Sequence, residues 1–173
     1  MMPRTPAKPH PPVGRGDNLV THSTKSHGPD RVDVMASVDD LAAVPLFSSL
    51  DEEQLVKLAN WFHVQNANEG ARLVGEGAPG YTFFVLIEGT AAVTSEGQTL
   101  TELTPGDFFG EVAILGDGRR TATVTSTSPA RLLVLFGTEF RQLEAAHPEI
   151  ASRIAEAMQA RAGQIAELDA RSA

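Results

Sequence analysis

The sequence predicts a mainly β protein with flanking helices: an eight-stranded antiparallel jelly roll, or β-roll, between short N-terminal helices and longer C-terminal helices. Between residues 63 and 136, short β-branched and apolar runs alternate with turns rich in glycine and proline. On either side of that stretch, apolar residues recur at helical spacing instead. A chain of 173 residues is long enough for one domain with a tail, and too short for two full domains.

Residues 1–36 are predicted to be a flexible, proline-rich tail. They hold six of the eleven prolines and few large apolar residues, so they cannot bury enough surface to offset the entropy lost on ordering. His10, His22 and His27 fall in this segment at irregular spacing. We interpret them as solvated side chains, and we expect no metal site.

Residues 37–173 are predicted to form the folded domain, which opens with helices over 37–62. Asp51 and Gln54 stand at the spacing of a capping box and predict the start of a helix. The apolar residues that follow at i, i+3, i+4 and i+7 predict one buried face: Leu55, Leu58, Ala59 and Phe62.

The β-roll is expected over 63–136 and the C-terminal helices over 137–170. Pro148 suits the first turn of a helix. The last helix should be about twenty residues long, since apolar residues continue at helical spacing on one face. That face consists of Ile150, Ile154, Met158, Ile165 and Leu168.

The stretch 108–124 carries the chemistry. Only Glu111 to Leu115 can form a helical turn between two strands, and the unpaired N–H groups at its start suit an anion. Gly110 removes a side chain that would block close approach, and Arg120 supplies a planar fork of donors for phosphate oxygens. A carboxylate at Glu111 would repel a plain phosphate, but it would accept a hydrogen bond from a neighbouring sugar hydroxyl.

The segments 109–113 (Phe-Gly-Glu-Val-Ala) and 120–124 (Arg-Thr-Ala-Thr-Val) resemble the phosphate-binding cassette of cyclic nucleotide-binding domains. This family includes bacterial catabolite activator proteins, regulatory subunits of cAMP-dependent kinase and nucleotide-gated channels, and the resemblance extends from about Leu41 to Leu168. It implies that a 3′,5′-cyclic nucleotide lies inside the roll. The implied ligand-binding residues are Gly110, Glu111, Val112, Ala113, Arg120, Thr121 and Ala122.

Within that set, the resemblance implies that the cyclic phosphate is held by Arg120 and by the backbone N–H groups of Ala113, Thr121 and Ala122. Glu111 and Gly110 would hold the ribose 2′-OH. In the resembled family, a hydroxyl at the position of Thr121 can bond a guanine amino group, which permits cGMP, whereas cAMP binding does not require it. We expect cAMP as the main ligand and cGMP as a weaker or comparable one.

Further candidates concern the base. Val93, Leu100 and Leu103 match family positions that line the pocket, although strand core is almost as good an interpretation. Met158, Arg161 and Ala162 on the last helix are candidates to close over the base or to pair with a second copy in a homodimer.

Other functional classes are disfavoured. The chain has no cysteine, and only His63 and His147 fall in the folded part, so we expect no catalytic residues, no cofactor and no enzymatic activity. Gly75–Gly80 matches G-x-G-x-x-G but leads into a strand pattern, which indicates a structural turn rather than a dinucleotide site.

The charge distribution and hydropathy bear on partners. Residues 37–173 hold nine Lys/Arg against nineteen Asp/Glu, a balance of −10, which argues against direct nucleic-acid binding. No apolar run approaches the roughly 18 residues of a membrane span, so we expect no membrane contact and a cytoplasmic location.

These observations predict a sensor module that binds a cyclic nucleotide and signals to an unknown effector protein through movement of its C-terminal helix. Two alternatives stay open. One is a protein-interaction module with a vestigial nucleotide site, and the other is a DNA-binding regulator truncated before its DNA-binding domain.

Overall fold

The structure is a computed structural model that describes residues 32–116 and 118–172, with the backbone alone described at 32–33, 112–113 and 162–172. The predicted tail up to residue 31, with its three histidines, lies outside the described residues. Within the described ranges, no helix is both long enough and apolar enough to cross a bilayer.

Among the described residues, nine strands form two antiparallel sheets that face each other. In chain order they are β1 (Val32–Met35), β2 (His63–Ala67), β3 (Arg72–Val74), β4 (Thr82–Glu88), β5 (Ala91–Ser95), β6 (Gln98–Leu103), β7 (Phe108–Phe109), β8 (Thr123–Ser126) and β9 (Ala130–Phe136). One sheet has the order β1-β2-β9-β4-β7 and the other β3-β8-β5-β6. The prediction of a mainly β roll with flanking helices is confirmed, and eight of the nine strands lie within 63–136.

The ninth strand, β1, lies inside the segment that the sequence assigned to the tail. It pairs with β2 in antiparallel register, with Val34 opposite Val64 and Met35 opposite His63. A strand is therefore present at Val32–Met35, before residue 37. The difference arises because a four-residue edge strand is stabilised by its partner some thirty residues further along, which local composition does not reveal.

The described part of the chain has five α-helices: α1 (Val38–Ala42), α2 (Glu52–Ala59), α3 (Glu111–Leu115), α4 (Gly137–Ala146) and α5 (Pro148–Ser172). Helix α3 lies between two strands of the roll, and the other four flank it. The predicted capping box at α2 is present, since the Gln54 N–H donates to Asp51 Oδ1 at 2.8 Å and the Asp51 N–H donates to Gln54 Oε1 at 3.2 Å. Helix α5 is longer than predicted, at 25 residues.

The larger sheet separates two apolar cores. Residues of β4 alternate between them: Phe83 is buried against the helices, and Phe84 is buried between the two sheets. The short strand β7 continues both pairs, because the Phe108 ring lies 5.5 Å from Phe83 and the Phe109 ring stacks on Phe84 at 4.9 Å. Helix α3 follows β7 directly, so the position of the helix depends on these two aromatic pairs.

Candidate functional site

A cavity of about 370 Å³ opens inside the roll beside α3. This volume falls in the range of small-molecule sites, roughly 300–1,000 Å³. Eight of the thirteen predicted site residues line it, and they include both charged members of the cassette. The eight are Val93, Leu100, Leu103, Gly110, Glu111, Arg120, Thr121 and Ala122.

Arg120 is a buried cation at the edge of this cavity, with 8% of its surface exposed. Its Nη2 donates to the Thr82 carbonyl at 2.8 Å and its Nη1 to the Gly110 carbonyl at 3.4 Å. The guanidinium carbon also lies 5.9 Å from the centre of the Phe84 ring. Burial lowers the pKa of Arg120 and the Glu111 carboxylate opposes this change, so the side chain stays charged at neutral pH.

Two glycines make room for this guanidinium. Gly110 has a φ of +87°, and a Cβ there would lie 2.5 Å from both Arg120 Nη1 and the Thr82 carbonyl oxygen. A Cβ at Gly80 would lie 2.7 Å from Arg120 Nε. Both positions therefore need glycine for the guanidinium to lie where it does.

The sequence predicts only a turn at Gly75–Gly80 and does not reveal that Gly80 makes room for Arg120. The loop does pair with the segment before β8, since the Arg120 N–H donates to the Ala78 carbonyl and the Gly77 N–H to the Arg120 carbonyl. The density of glycines in this loop was the available signal. It could not say which side chain would lie against them.

Glu111 is the first residue of α3 and lies half-buried on the same cavity. Burial raises the pKa of its carboxyl group, while its own backbone amide and the guanidinium groups of Arg161 and Arg120 oppose that rise. Within the described ranges, Arg120 donates to the two backbone carbonyls and forms no ion pair with Glu111. An acceptor and a donor of opposite charge are thus presented to one cavity without neutralising each other directly.

Of the three expected lid residues, Met158 is placed differently from the prediction. Met158 lies on α5 and is fully buried in the apolar core between the helices and the larger sheet, which we call the helix-side core. Its side chain therefore does not face the cavity. Arg161 forms an ion pair with Asp107, and its guanidinium carbon lies 4.9 Å from the centre of the Phe108 ring, which lines the cavity. The side chains of Val112, Ala113 and Ala162 lie outside the described residues.

Comparison with known families decides the identity of this roll. Residues 64–147 match the family model described as the cyclic nucleotide-binding domain. Residues 64–147 are a cyclic nucleotide-binding domain. The family resemblance drawn from the cassette is thereby confirmed, and domains of this family are regulatory and typically non-catalytic.

Relatives of this cyclic nucleotide-binding domain occur in several larger proteins. A cyclic nucleotide-gated potassium channel of Mesorhizobium japonicum is 36% identical over 111 residues, which cover 64% of this chain and 31% of the channel. A cAMP-dependent protein kinase regulatory subunit of Hypocrea atroviridis is 34% identical over 103 residues, which cover 60% of this chain and 22% of the subunit. The chain thus spans about a third or less of the length of these relatives.

The fold is also similar to that of solved structures from this family. The solved structure of cAMP-bound PfPKA-R superposes with a TM-score of 0.66 at 26% identity, covering 75% of this chain and 44% of that one. The cyclic nucleotide-binding domain described above is therefore similar, in sequence and in fold, to domains of proteins whose names include a cyclic nucleotide.

Proposed function

We propose that this chain binds a 3′,5′-cyclic nucleotide, with cAMP as the main ligand, in the cavity beside α3, and that it does so as a non-catalytic sensor. The observation that carries the proposal is the convergence of the Arg120 guanidinium and the Glu111 carboxylate on one cavity of about 370 Å³. A cyclic phosphate and an adjacent sugar hydroxyl present the complementary acceptor and donor.

In the proposed complex, the cyclic phosphate accepts hydrogen bonds from Arg120 and from the backbone N–H groups of Ala113, Thr121 and Ala122. The ribose 2′-OH donates to Glu111 beside Gly110. The base lies against the apolar part of the cavity wall, to which three strand residues contribute: Val93, Leu100 and Leu103. The cAMP named with PfPKA-R supports this choice of ligand class.

A purely structural role for the cassette is less well supported. If the nucleotide site were vestigial, we would expect the clamp to be damaged. Instead Arg120 is buried, held by two carbonyls and accommodated by two glycines. Burial of a charged group is costly unless its hydrogen bonds are satisfied. The two carbonyl oxygens accept from only two of the five N–H donors of Arg120, so an anionic ligand would offset the remaining cost of burying the charge.

The proposed output of the sensor is α5. Its residue Arg161 contacts both Asp107 and Phe108 at the cavity wall, so a ligand that displaces this wall also acts on the helix. We infer that an effector protein detects the resulting position of α5, whether that effector is a separate chain or a second copy.

Calorimetric titration with cAMP tests the site. Arg120→Lys keeps a positive charge but loses the planar fork, so we expect affinity to fall by at least about tenfold, as for the loss of one charge-assisted hydrogen bond worth 1.5–3 kcal/mol. Arg141→Ala removes an exposed arginine of α4 and is the matched control, with affinity expected to be unchanged. The melting temperature of each variant shows whether it is folded.

Two outcomes would overturn the proposal: no binding of cAMP by the wild-type chain, or equal affinity in Arg120→Lys and the wild type. Hydrogen exchange over residues 148–168 then tests the output separately. Exchange that cAMP leaves unchanged would describe a passive binder and would remove α5 from the mechanism.

A further inference from the structure

A second cavity, of about 440 Å³, lies between the C-terminal end of α3 and the start of α4. We name it the α3–α4 groove, and its lining includes Tyr81, Leu115, Phe140, Arg141 and Glu144. None of these residues lines the proposed nucleotide cavity. The function proposed above therefore leaves the groove without a role.

Exposed apolar side chains lie in and beside the groove. Tyr81 is 55% exposed, and its ring is held over Gly118, where a Cβ would lie 2.5 Å from the ring. On its other side, a Cβ at Gly137 would lie 2.9 Å from the Tyr81 carbonyl oxygen. Leu115 and Phe136, the residue before Gly137, are also among the exposed large apolar residues. An exposed aromatic side chain beside a cavity is a feature of recognition surfaces.

A ligand that suits this surface is present in the same chain. Four prolines near the N-terminus are spaced by three residues each: Pro3, Pro6, Pro9 and Pro12. A polyproline II helix has three residues per turn, so that spacing places all four on one face. Proline-rich segments of this kind are recognised by grooves lined with aromatic side chains.

The charges are complementary. Residues 1–16 carry Arg4, Lys8 and Arg15 and no acidic residue, whereas residues 37–173 have a balance of −10. In the groove itself, Arg141 and Glu144 offset each other, so the attraction comes from the domain as a whole, with Glu144 as its nearest negative group.

The connecting chain is long enough. Strand β1 begins at Val32, at the end of the sheet remote from the groove, because Met35 is the residue paired with His63 and the His63 ring contacts Phe136. The groove also lies two to three strands away from β1 across the sheet, beside the ends of β9 and β4. The linker must therefore span one short strand, on the order of 15 Å at about 3.3 Å per residue, and a sideways offset of roughly 10–15 Å at about 4.8 Å per strand, which together make about 20 Å. Residues 13–31 form a nineteen-residue linker, for which a root-mean-square span of about 25 Å is expected.

We propose that residues 3–12 dock as a polyproline II helix in the α3–α4 groove of their own chain, with the Pro3, Pro6, Pro9 and Pro12 face against Tyr81. The groove is thus an intramolecular binding site for a proline-rich segment. This proposal does not depend on nucleotide binding, and its test uses no nucleotide.

Tyr81 is the single tyrosine of the chain, so labelling with 3-fluorotyrosine gives one fluorine resonance, at the groove. The full chain is compared with Pro6→Ala/Pro9→Ala, which removes two in-register prolines. Pro11→Ala/Pro29→Ala is the matched control, since it removes two prolines outside the three-residue register. We expect the resonance to move in the first variant and to stay in place in the second.

A groove-side variant completes the test. Glu144→Lys, at an exposed helix position, should move the resonance of the otherwise unchanged chain towards the position seen in Pro6→Ala/Pro9→Ala. A resonance that is the same in the wild type and in Pro6→Ala/Pro9→Ala would overturn the proposal, as would equal shifts in the two proline variants. A shift that disappears on twentyfold dilution would assign the segment to a second copy and would overturn docking within one chain.

Discussion

The guanidinium of Arg161, on the last helix, forms an ion pair with the carboxylate of Asp107, in the turn that leads into β7. Burial alone would raise the pKa of Asp107, but hydrogen bonds from the Thr104 N–H and from Arg161 outweigh it and lower that pKa below its usual value. Asp107 thus stays ionised and ties α5 to the wall of the proposed nucleotide cavity.

Replacing Asp107 by Asn should weaken this tie in a pH-dependent way. Because the pKa of Asp107 is lowered in the folded state, its contribution is complete above the unfolded value of about 3.9 and is lost as pH falls through the lowered value. We expect Asp107→Asn to cost about 1 kcal/mol of unfolding free energy at pH 7. Urea titrations at pH 7 and at successive values below 4 should show the difference from wild type shrinking. Glu102→Gln, at an exposed strand position, is the control for loss of one carboxylate.

Glu111 should discriminate the cyclic ester from its linear product. A linear 5′-monophosphate carries about one more negative charge than the cyclic ester, which an ionised Glu111 disfavours. Glu111→Gln should therefore lower the preference for cAMP over 5′-AMP, on the order of tenfold or 1.4 kcal/mol. Paired titrations of the two ligands measure that ratio, and an unchanged ratio would remove the carboxylate charge from the selectivity.

Thr121 bears on the choice of base. Its side chain is exposed at the cavity lining, and we propose that its hydroxyl bonds a guanine amino group. Thr121→Ala should weaken cGMP binding by a factor of about five to ten, corresponding to one neutral hydrogen bond of about 1 kcal/mol, and should leave cAMP binding unchanged. If both affinities changed equally, the hydroxyl would have no part in distinguishing the bases.

Gly110 and Gly97 form a matched pair for a backbone test. Both have positive φ, +87° and +79°, but a Cβ at Gly97 would meet nothing within 4 Å. Gly97→Ala should therefore cost only the backbone term, roughly 1–2 kcal/mol. Gly110→Ala adds the clash with Arg120 and Thr82, so we expect a larger loss of thermal stability together with loss of cAMP binding. Equal melting temperatures in the two variants would contradict the close packing around Arg120.

The features that local sequence could predict are those fixed by short-range chemistry. Asp51 and Gln54 form the expected capping box because both partners lie within one helical turn. The cassette residues Gly110, Glu111 and Arg120 could be named from their order along the chain. Their convergence on one cavity required the fold.

The features that the sequence did not predict correctly depend on contacts between distant segments. Met158 lies on the apolar face of α5 together with Ile150 and Ile154, and the structure packs that face into the helix-side core. The sequence could not show that this face points away from the cavity. Strand β1 exists through its pairing with β2. Gly80 gains its role from Arg120, forty residues later, so no local pattern could assign it.

The two aromatic pairs of β7 have a mechanical consequence. Phe108 and Phe109 are consecutive residues whose rings contact Phe83 on the helix side and Phe84 between the sheets. The two rings of this two-residue strand are joined through a single peptide unit. A displacement of one ring therefore displaces the other. The helix layer and the interior of the roll are therefore coupled at this strand, and neither can repack there without disturbing the other.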